Sequence, residues 1–335
     1  MTFKNIIILF IGTLFVASCA KDDMEDIKIV DQKTIICESD RYIKPIFDEV
    51  EINTVKYGSN INTSGAQQDL LMDVYQPKGD TLSKRPVLVL AFGGSFIGGD
   101  RKQLSEIAIE MTKLGYVSVC IDYRLLSFSQ LPFDSVKALD IAIKASTDMK
   151  AAIRHLRKDA NTENKFRIDS DFILAGGVSA GAITAIQAAY FDASDNTESQ
   201  VQAAIAKNGG VEGNSGDAEN LSYSSKVQGV INMSGAIYRL SYIDSGEPPI
   251  ISIHGDADAI VPYAYDVVRV FGIPIIPLHG SSEIDKRAKE IGLKSSFKTV
   301  IGGGHEDIYT DLSFATEFEA FRKAVYQFNK EILCQ

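Results

Sequence analysis

Tryptophan is absent from these 335 residues, and histidine occurs only four times, cysteine four times and proline nine times. The missing indole weakens any reading as an aromatic platform for carbohydrate, although thirteen tyrosines remain. Four histidines leave few choices for a side chain that must gain and lose a proton near neutral pH. Positive charge is also in deficit: the net charge of −10 argues against the basic face that nucleic-acid binding requires. Four cysteines are too few for a disulfide scaffold at this length. No internal repeat is visible. What is present is an ordinary globular composition, 45% apolar and 23% charged, with enough chain for one large core.

The first residues read as an export signal. Lys4 precedes a short apolar run, Ile6 to Ile11 and Leu14 to Val16, too short to span a bilayer comfortably. It ends at Val16-Ala17-Ser18-Cys19, which resembles a bacterial lipobox. The resemblance implies cleavage after residue 18 and a lipid on Cys19, hence a membrane anchor. The alternative is an ordinary secretory signal cut near Ala20. The next residues, Ala20-Lys21-Asp22-Asp23-Met24-Glu25, resemble the surface-export signal of Bacteroidetes lipoproteins. That implies an outer-membrane or cell-surface address, with a periplasmic or secreted protein as the alternative. Of the other cysteines, Cys120 lies in an apolar strand and is expected to be buried. Cys37 and Cys334 lie near the two ends of the mature chain, and an oxidising compartment would permit them to pair. Sequence leaves that pairing open.

Residues 19–48 are polar and are expected to form a tether and lead-in, with a single domain over 49–335. Residues 50–57 and 70–75 alternate like the strands of a hairpin. Residues 86–91 form a continuous apolar run, as a strand covered on both faces requires. Helices are expected over 102–114 and 136–157, and strands over 116–121 and at Phe172. After Tyr190 the pattern loosens, and residues 192–225, with the glycine-rich stretch 208–216, are expected as an insertion covering the site. Strands follow at 227–232, 249–253 and 297–301, and helices at 263–270, 284–291 and 312–332. The apolar run 271–278 reads equally as core or as the wall of an acyl pocket. Strands alternating with helices predict an α/β fold, with a mostly parallel central sheet and helices on both faces.

The chemistry centres on Gly177-Val178-Ser179-Ala180-Gly181. An apolar strand precedes it and an apolar helix follows. Such a turn exposes a serine hydroxyl at the top of a sheet, and glycines two before and two after let strand and helix cross closely. It also directs the Ala180 N–H, at a helix start, toward a developing oxyanion. The serine needs a base and the base an orienting acid. His305, in Gly302-Gly303-Gly304-His305 directly after the last strand, is the expected base, on a mobile loop. His155 lies mid-helix, His279 in a turn before a helix, and His254 at the end of a strand. For the acid, Asp256 and Asp258 are both candidates, since both follow the strand that ends at His254. The loop Gly93-Gly94-Ser95-Phe96 follows an early strand and offers Gly94 and Ser95 N–H groups as oxyanion donors beside Ala180. No Gly-Lys-Ser/Thr follows this loop, so a nucleotide P-loop is unsupported.

Together these motifs resemble the α/β-hydrolases, specifically bacterial carboxylesterases and lipases with a glycine-rich oxyanion loop. The resemblance covers roughly residues 50–333. It rests on Gly93-Gly94-Ser95-Phe96, Asp122-Tyr123-Arg124-Leu125, Gly177 to Gly181, His254-Gly255 with Asp258 and Val261-Pro262, and Gly304-His305, in the family's order. It implies Asp258 rather than Asp256 as the acid. It implies that Asp122, Tyr123 and Arg124 support the oxyanion loop. It implies a serine ester hydrolase working through Ser179, His305 and Asp258 and an acyl-enzyme, with no metal or organic cofactor. The partners implied are a small-molecule or polymeric ester and a membrane reached through Cys19, with no nucleic acid. One departure stands out: Phe92 occupies the place of the family's usual histidine before the oxyanion glycines. Two other readings are a serine peptidase on the same fold and a non-catalytic surface binding lipoprotein. No propeller domain supports the first, and the intact set Ser179, Asp258 and His305 opposes the second.

Overall fold

The computed structural model describes residues 37–335. The expected signal over 1–18, Cys19 and the residues up to 36 lie outside the described residues. In chain order the elements are β1 (Val50–Ile61), β2 (Gln67–Pro77), β3 (Arg85–Ala91), α1 (Ser105–Lys113), β4 (Val117–Ile121), α2 (Ser135–Asn161), β5 (Ile168–Val178), α3 (Ala180–Tyr190), α4 (Ser199–Lys207), β6 (Gly229–Met233) and β7 (Ala236–Ile237). They continue as β8 (Ile250–Gly255), β9 (Tyr265–Val270), β10 (Ile273–Gly280), α5 (Ser281–Glu290), β11 (Ser295–Val300), α6 (Asp307–Thr310) and α7 (Ala315–Leu333).

Eight strands form one sheet in the order β1-β2-β4-β3-β5-β6-β8-β11. The run from β4 to β11 is parallel, and the β1–β2 hairpin joins β4 antiparallel. Strands β3, β4, β6 and β8 are buried at every residue, which is why their sequences are unbroken rather than alternating. Helices α1 and α7 pack together over Leu88, Leu90, Ile231 and Met233. Helix α2 packs along α3, which covers β5 and β6. On α2 the helically spaced Ala145, Met149, Ala152, Ile153 and Leu156 are all buried. The carboxyl ends of β3, β5, β8 and β11 share one sheet edge, where ligands bind in open α/β folds.

Two expectations need correction. Residues 263–270 do not form a helix. They supply β9, which pairs with β10 and, through it, with β7 in a separate three-stranded sheet. Val267, Val268, Val270, Ile273, Ile275 and Ile276 are β-branched and favour the strand. Phe271 and Gly272 close the hairpin with φ of 51° and 76°, as a two-residue turn between right-twisted strands requires. From Cys37 onward the lead-in is fastened to the domain. Tyr42 is fully buried against Tyr116, its N–H donates to Leu114 O (2.9 Å), and Arg41 pairs with Asp80. Cys37 and Cys334 form a disulfide that ties the lead-in to the end of α7.

The second correction concerns only part of the insertion. Helix α4 reaches the cleft beside Ser179 with Val201, but the glycine-rich stretch does not cover the sheet edge. It folds back along β1 and α2, where Asn60 Nδ2 donates to Asn214 Oδ1 (2.7 Å) and to Ser215 Oγ (2.9 Å). The cause is a buried ion pair. Arg124 and Asp148 face each other at 2.8 Å with almost no solvent contact, and Ser215 Oγ donates to Asp148 Oδ1 (2.5 Å) and accepts from Arg124 (3.1 Å). A buried pair needs its remaining hydrogen-bonding capacity filled, and the loop supplies it.

The disulfide closes a loop of 297 residues, so its loss removes a large constraint on the unfolded chain. The Cys334→Ser variant is expected to lose about 2–4 kcal/mol of unfolding free energy in a denaturant titration. An unchanged midpoint would contradict this.

Candidate active site

Ser179 sits between β5 and α3 with φ 56° and ψ −121°, a conformation L-residues rarely adopt. Its N–H donates to Met233 O at 2.8 Å, which holds the turn to the neighbouring strand. The flanking glycines are required by contact. A Cβ on Gly181 would lie 2.0 Å from Ala91 O, and one on Gly177 would lie 2.4 Å from the Gly181 carbonyl carbon. The spacing read from sequence therefore reflects three backbones crossing with no room for a side chain.

A line of hydrogen bonds leads from the serine into the protein. Ser179 Oγ lies 2.8 Å from His305 Nε2, and His305 Nδ1 lies 2.6 Å from Asp258 Oδ2. A carboxylate can only accept, so Nδ1 carries the proton and Nε2 is left to accept from the serine hydroxyl. Asp258 has no solvent contact in its side chain. Its Oδ1 accepts from the N–H groups of Ile260 (2.8 Å) and Val261 (3.0 Å).

The second acceptor contact on Asp258 Oδ2 comes from His254 Nε2 at 3.0 Å. Sequence reasoning placed His254 at a strand end and gave it no role. Its Nε2 also faces Val261 O at 3.2 Å, so both neighbours are acceptors and Nε2 carries the proton. Its Nδ1 meets Ser281 Oγ at 2.7 Å, and Ser281 in turn accepts from Asn232 Nδ2 at 2.9 Å. The acid is thus gripped by two imidazoles, one leading to the serine and one to a buried polar cluster. The available signal was the four-residue spacing of His254 and Asp258.

The loops bearing the acid and His305 are fastened together. Ala257 N–H donates to Gly303 O (3.0 Å), and Gly302 N–H donates to Asp256 Oδ1 (2.6 Å). A Cβ on Gly255 would lie 2.1 Å from Gly303 O, so only glycine permits this approach. Gly304 N–H is held by Asp307 Oδ1 at 2.6 Å. The histidine loop, expected as mobile, is pinned at three points. Asp256 serves as one of those pins and makes no contact with His305, which separates the two acid candidates.

Of the expected oxyanion donors, Ser95 and Ala180 line the same cleft as Ser179, and a Cβ on the adjacent Gly93 would touch Ser179 Cβ at 3.3 Å. Gly94 opens the turn, where its carbonyl accepts from Ile97 (2.9 Å) and Gly98 (3.1 Å). The N–H groups of Gly94 and Ser95 have no acceptor among the described residues. Phe92 holds this loop by packing. Its ring stacks on Tyr123 at 4.3 Å, and Tyr123 OH donates to Phe92 O at 2.7 Å. Asp122 accepts from Arg101 N–H (3.0 Å) and its guanidinium (2.7 Å), just beyond the loop. Arg124 does not support the loop; it turns to Asp148. The other histidines stay apart: His155 is on α2, and His279, expected in a turn, is in β10.

The cleft beside Ser179 is walled mostly by apolar side chains, with Val201 of α4, Tyr238 and Tyr242 after β7 and Ile260 and Val261 of the acid loop among them. Phe96 follows β3, Leu139 and Ile143 come from α2, Ile183 from α3, and Val268 and Leu278 from the β9–β10 hairpin. Of the run 271–278, Ile276 and Leu278 are both core and pocket wall and Ile275 lines the cleft, whereas Phe271 to Pro274 are exposed. Among the described residues, no group of three His, Cys, Asp or Glu could hold a metal ion.

A BD-FAE family model matches residues 72–238 of the chain. Esterase LipC of Mycobacterium tuberculosis is 26% identical over 216 residues, covering 57% of this chain and 49% of LipC. The chain thus spans about half the length of that curated relative. Among solved structures, the native form of the esterase Est2 from the planctomycete Thermogutta terrifontis superposes with a TM-score of 0.58 at 19% identity, over 84% of this chain and 92% of that one. The same esterase phosphorylated by paraoxon superposes with a TM-score of 0.59 at 19% identity, over 84% of this chain and 94% of that one. The fold is that of the α/β-hydrolases, as the motif order implied.

Burial alone would raise the pKa of Asp258, but hydrogen bonds from His254 and His305, and attraction to their rings, outweigh it and hold the carboxyl well below its usual range. A carboxyl depressed on folding adds stability that is present above its unfolded pKa, about 3.9. That stability is lost as pH falls through the folded pKa. The wild-type protein is therefore expected to lose stability on acidification below about pH 4 more steeply than Asp258→Asn. Equal acid slopes for the two proteins, measured by thermal unfolding, would contradict the depressed pKa.

Proposed function

We propose that this chain is a serine carboxylic-ester hydrolase. The observation that carries the reading is the unbroken hydrogen-bonded line from Ser179 through His305 to Asp258, opening on an apolar cleft. The esterase names of the LipC and Thermogutta relatives support it.

In this mechanism Ser179 Oγ attacks the ester carbonyl carbon while its proton passes to His305 Nε2. The carbonyl oxygen becomes an anion, held by N–H groups of Gly94, Ser95 and Ala180; each such donor is worth on the order of 100- to 1000-fold in turnover. Asp258 stabilises the imidazolium that has formed. The carbon–oxygen bond to the alcohol then breaks, and His305 returns the proton to the departing alkoxide. Water, deprotonated by the same imidazole, attacks the acyl-enzyme, and the acid leaves with Ser179 restored. The acyl group lies in the apolar cleft. For localisation, the lipobox-like Val16-Ala17-Ser18-Cys19 supports a lipid anchor at Cys19 and an outer-membrane or cell-surface address.

Hydrolysis of 4-nitrophenyl esters from acetate to decanoate tests the activity. Turnover is expected to peak at about six to eight acyl carbons, because the apolar cleft rewards each added methylene by about 0.8 kcal/mol until it is full. Ser179→Ala is expected to lower kcat by about a million-fold. Turnover equal to wild type in that variant would overturn the mechanism.

A further inference from the structure

The wall of the cleft holds three polar side chains that the proposed mechanism does not use: Gln187, Tyr238, whose hydroxyl is taken by Arg239, and Tyr242, whose buried hydroxyl has no partner among the described residues. Gln187 lies on α3, and with Ala180 and Ile183 it forms one face of that helix along the cleft. Gln187 is only 8% exposed. No other described residue hydrogen-bonds to its side-chain amide. Its amide atoms are not sealed from solvent, so water can hold them until a ligand takes its place. Here the amide has both a donor and an acceptor to offer, and faces apolar neighbours.

Its position relative to the nucleophile follows from helix geometry. Seven residues separate Gln187 from Ala180, which is about 10 Å along the axis. Helical side chains lean toward the N terminus, so the amide lies somewhat nearer to Ser179 than its Cα does. The aromatic end of the cleft is there too. Tyr242 lines the cleft and packs at 4.9 Å on Phe191, the residue that caps α3 just beyond Gln187. Ile183, Ile143 and Leu139 supply apolar wall to the same cleft.

We propose that Gln187 is an acyl-specificity residue, and that the cleft takes acyl groups with an apolar stem and a hydrogen-bonding oxygen at the far end. This rests on the ester-hydrolase reading of Ser179. A terminal hydroxyl can donate to the amide oxygen and accept from the amide N–H. A plain alkyl chain of the same length displaces water from Gln187 and gives nothing back, so it is rejected. Sites built around a buried hydrogen bond discriminate in this direction far more strongly than apolar pockets discriminate by size. Without Gln187 the preference falls, because a hydroxyl entering the cleft then loses its water with only the Tyr242 hydroxyl left at that end to receive it.

The test compares kcat/KM for 4-nitrophenyl esters of ω-hydroxy acids and plain acids, matched in length from hexanoate to decanoate, in wild type and in Gln187→Met. Methionine keeps the unbranched shape and removes the amide. Wild type is expected to favour the hydroxy ester by at least about tenfold at the best length. Gln187→Met is expected to lower that ratio by at least about tenfold, and an unchanged ratio would overturn the role of Gln187. The wild-type ratio alone is decisive if the variant does not fold. Turnover of both series with the plain ester preferred by wild type would overturn the role of Gln187 and leave the esterase reading standing. No turnover of either series would overturn the esterase reading and this proposal with it.

Discussion

Everything at the sheet edge depends on one carboxylate without solvent contact. Asp258 takes four hydrogen bonds, two from backbone N–H groups and two from imidazoles. A buried charge is tolerable only when its capacity is filled this way. The backbone pair fixes the carboxylate plane. His305 is then oriented by the only oxygen it can reach, and its other nitrogen meets Ser179. His254 grips the same oxygen from the opposite side and links it to Ser281 and Asn232. The same oxygen therefore ties His305, in the loop after β11, to His254 on β8 and through Ser281 to Asn232 on β6.

The second constraint is close backbone approach. Three crossings, at Gly177, Gly181 and Gly255, leave no space for a Cβ. Each lies where a functional loop leaves a strand. Removing the side chains there lets the serine turn, the acid loop and the histidine loop sit within hydrogen-bond reach of one another. The oxyanion loop is held differently, by the stack of Phe92 on Tyr123 and the hydroxyl bond to the Phe92 carbonyl. Packing plus one hydrogen bond anchors the carbonyl just before the glycines, so the loop has a fixed origin without the family's usual histidine.

Much of this was legible in the chain. Unbroken apolar runs marked the doubly covered strands. The glycine spacing about Ser179 marked a strand-to-helix crossing, and the order of serine, acid and histidine limited the partners to a few residues. What escaped had physical causes. The segment 263–270, broken by Asp266 and Arg269, is too short to carry a period that separates helix from strand; its β-branched valines are the better guide. The fate of the loop 208–216 is set by a buried pair, Arg124 and Asp148, whose members lie far apart in sequence. His254 is silent because a histidine at a strand end has no chemistry until the fold supplies a carboxylate. Gln187 is likewise an unremarked polar residue in an apolar helix until the cleft in front of it is seen.

The central claim is that Ser179 is activated by His305 held on Asp258. Labelling with a fluorophosphonate probe, followed by mass spectrometry of the digested protein, tests it directly, in wild type and in His305→Ala. The account predicts one adduct, on Ser179, formed at least about a thousandfold more slowly in the variant. No adduct on Ser179, or the same labelling rate without His305, would contradict it.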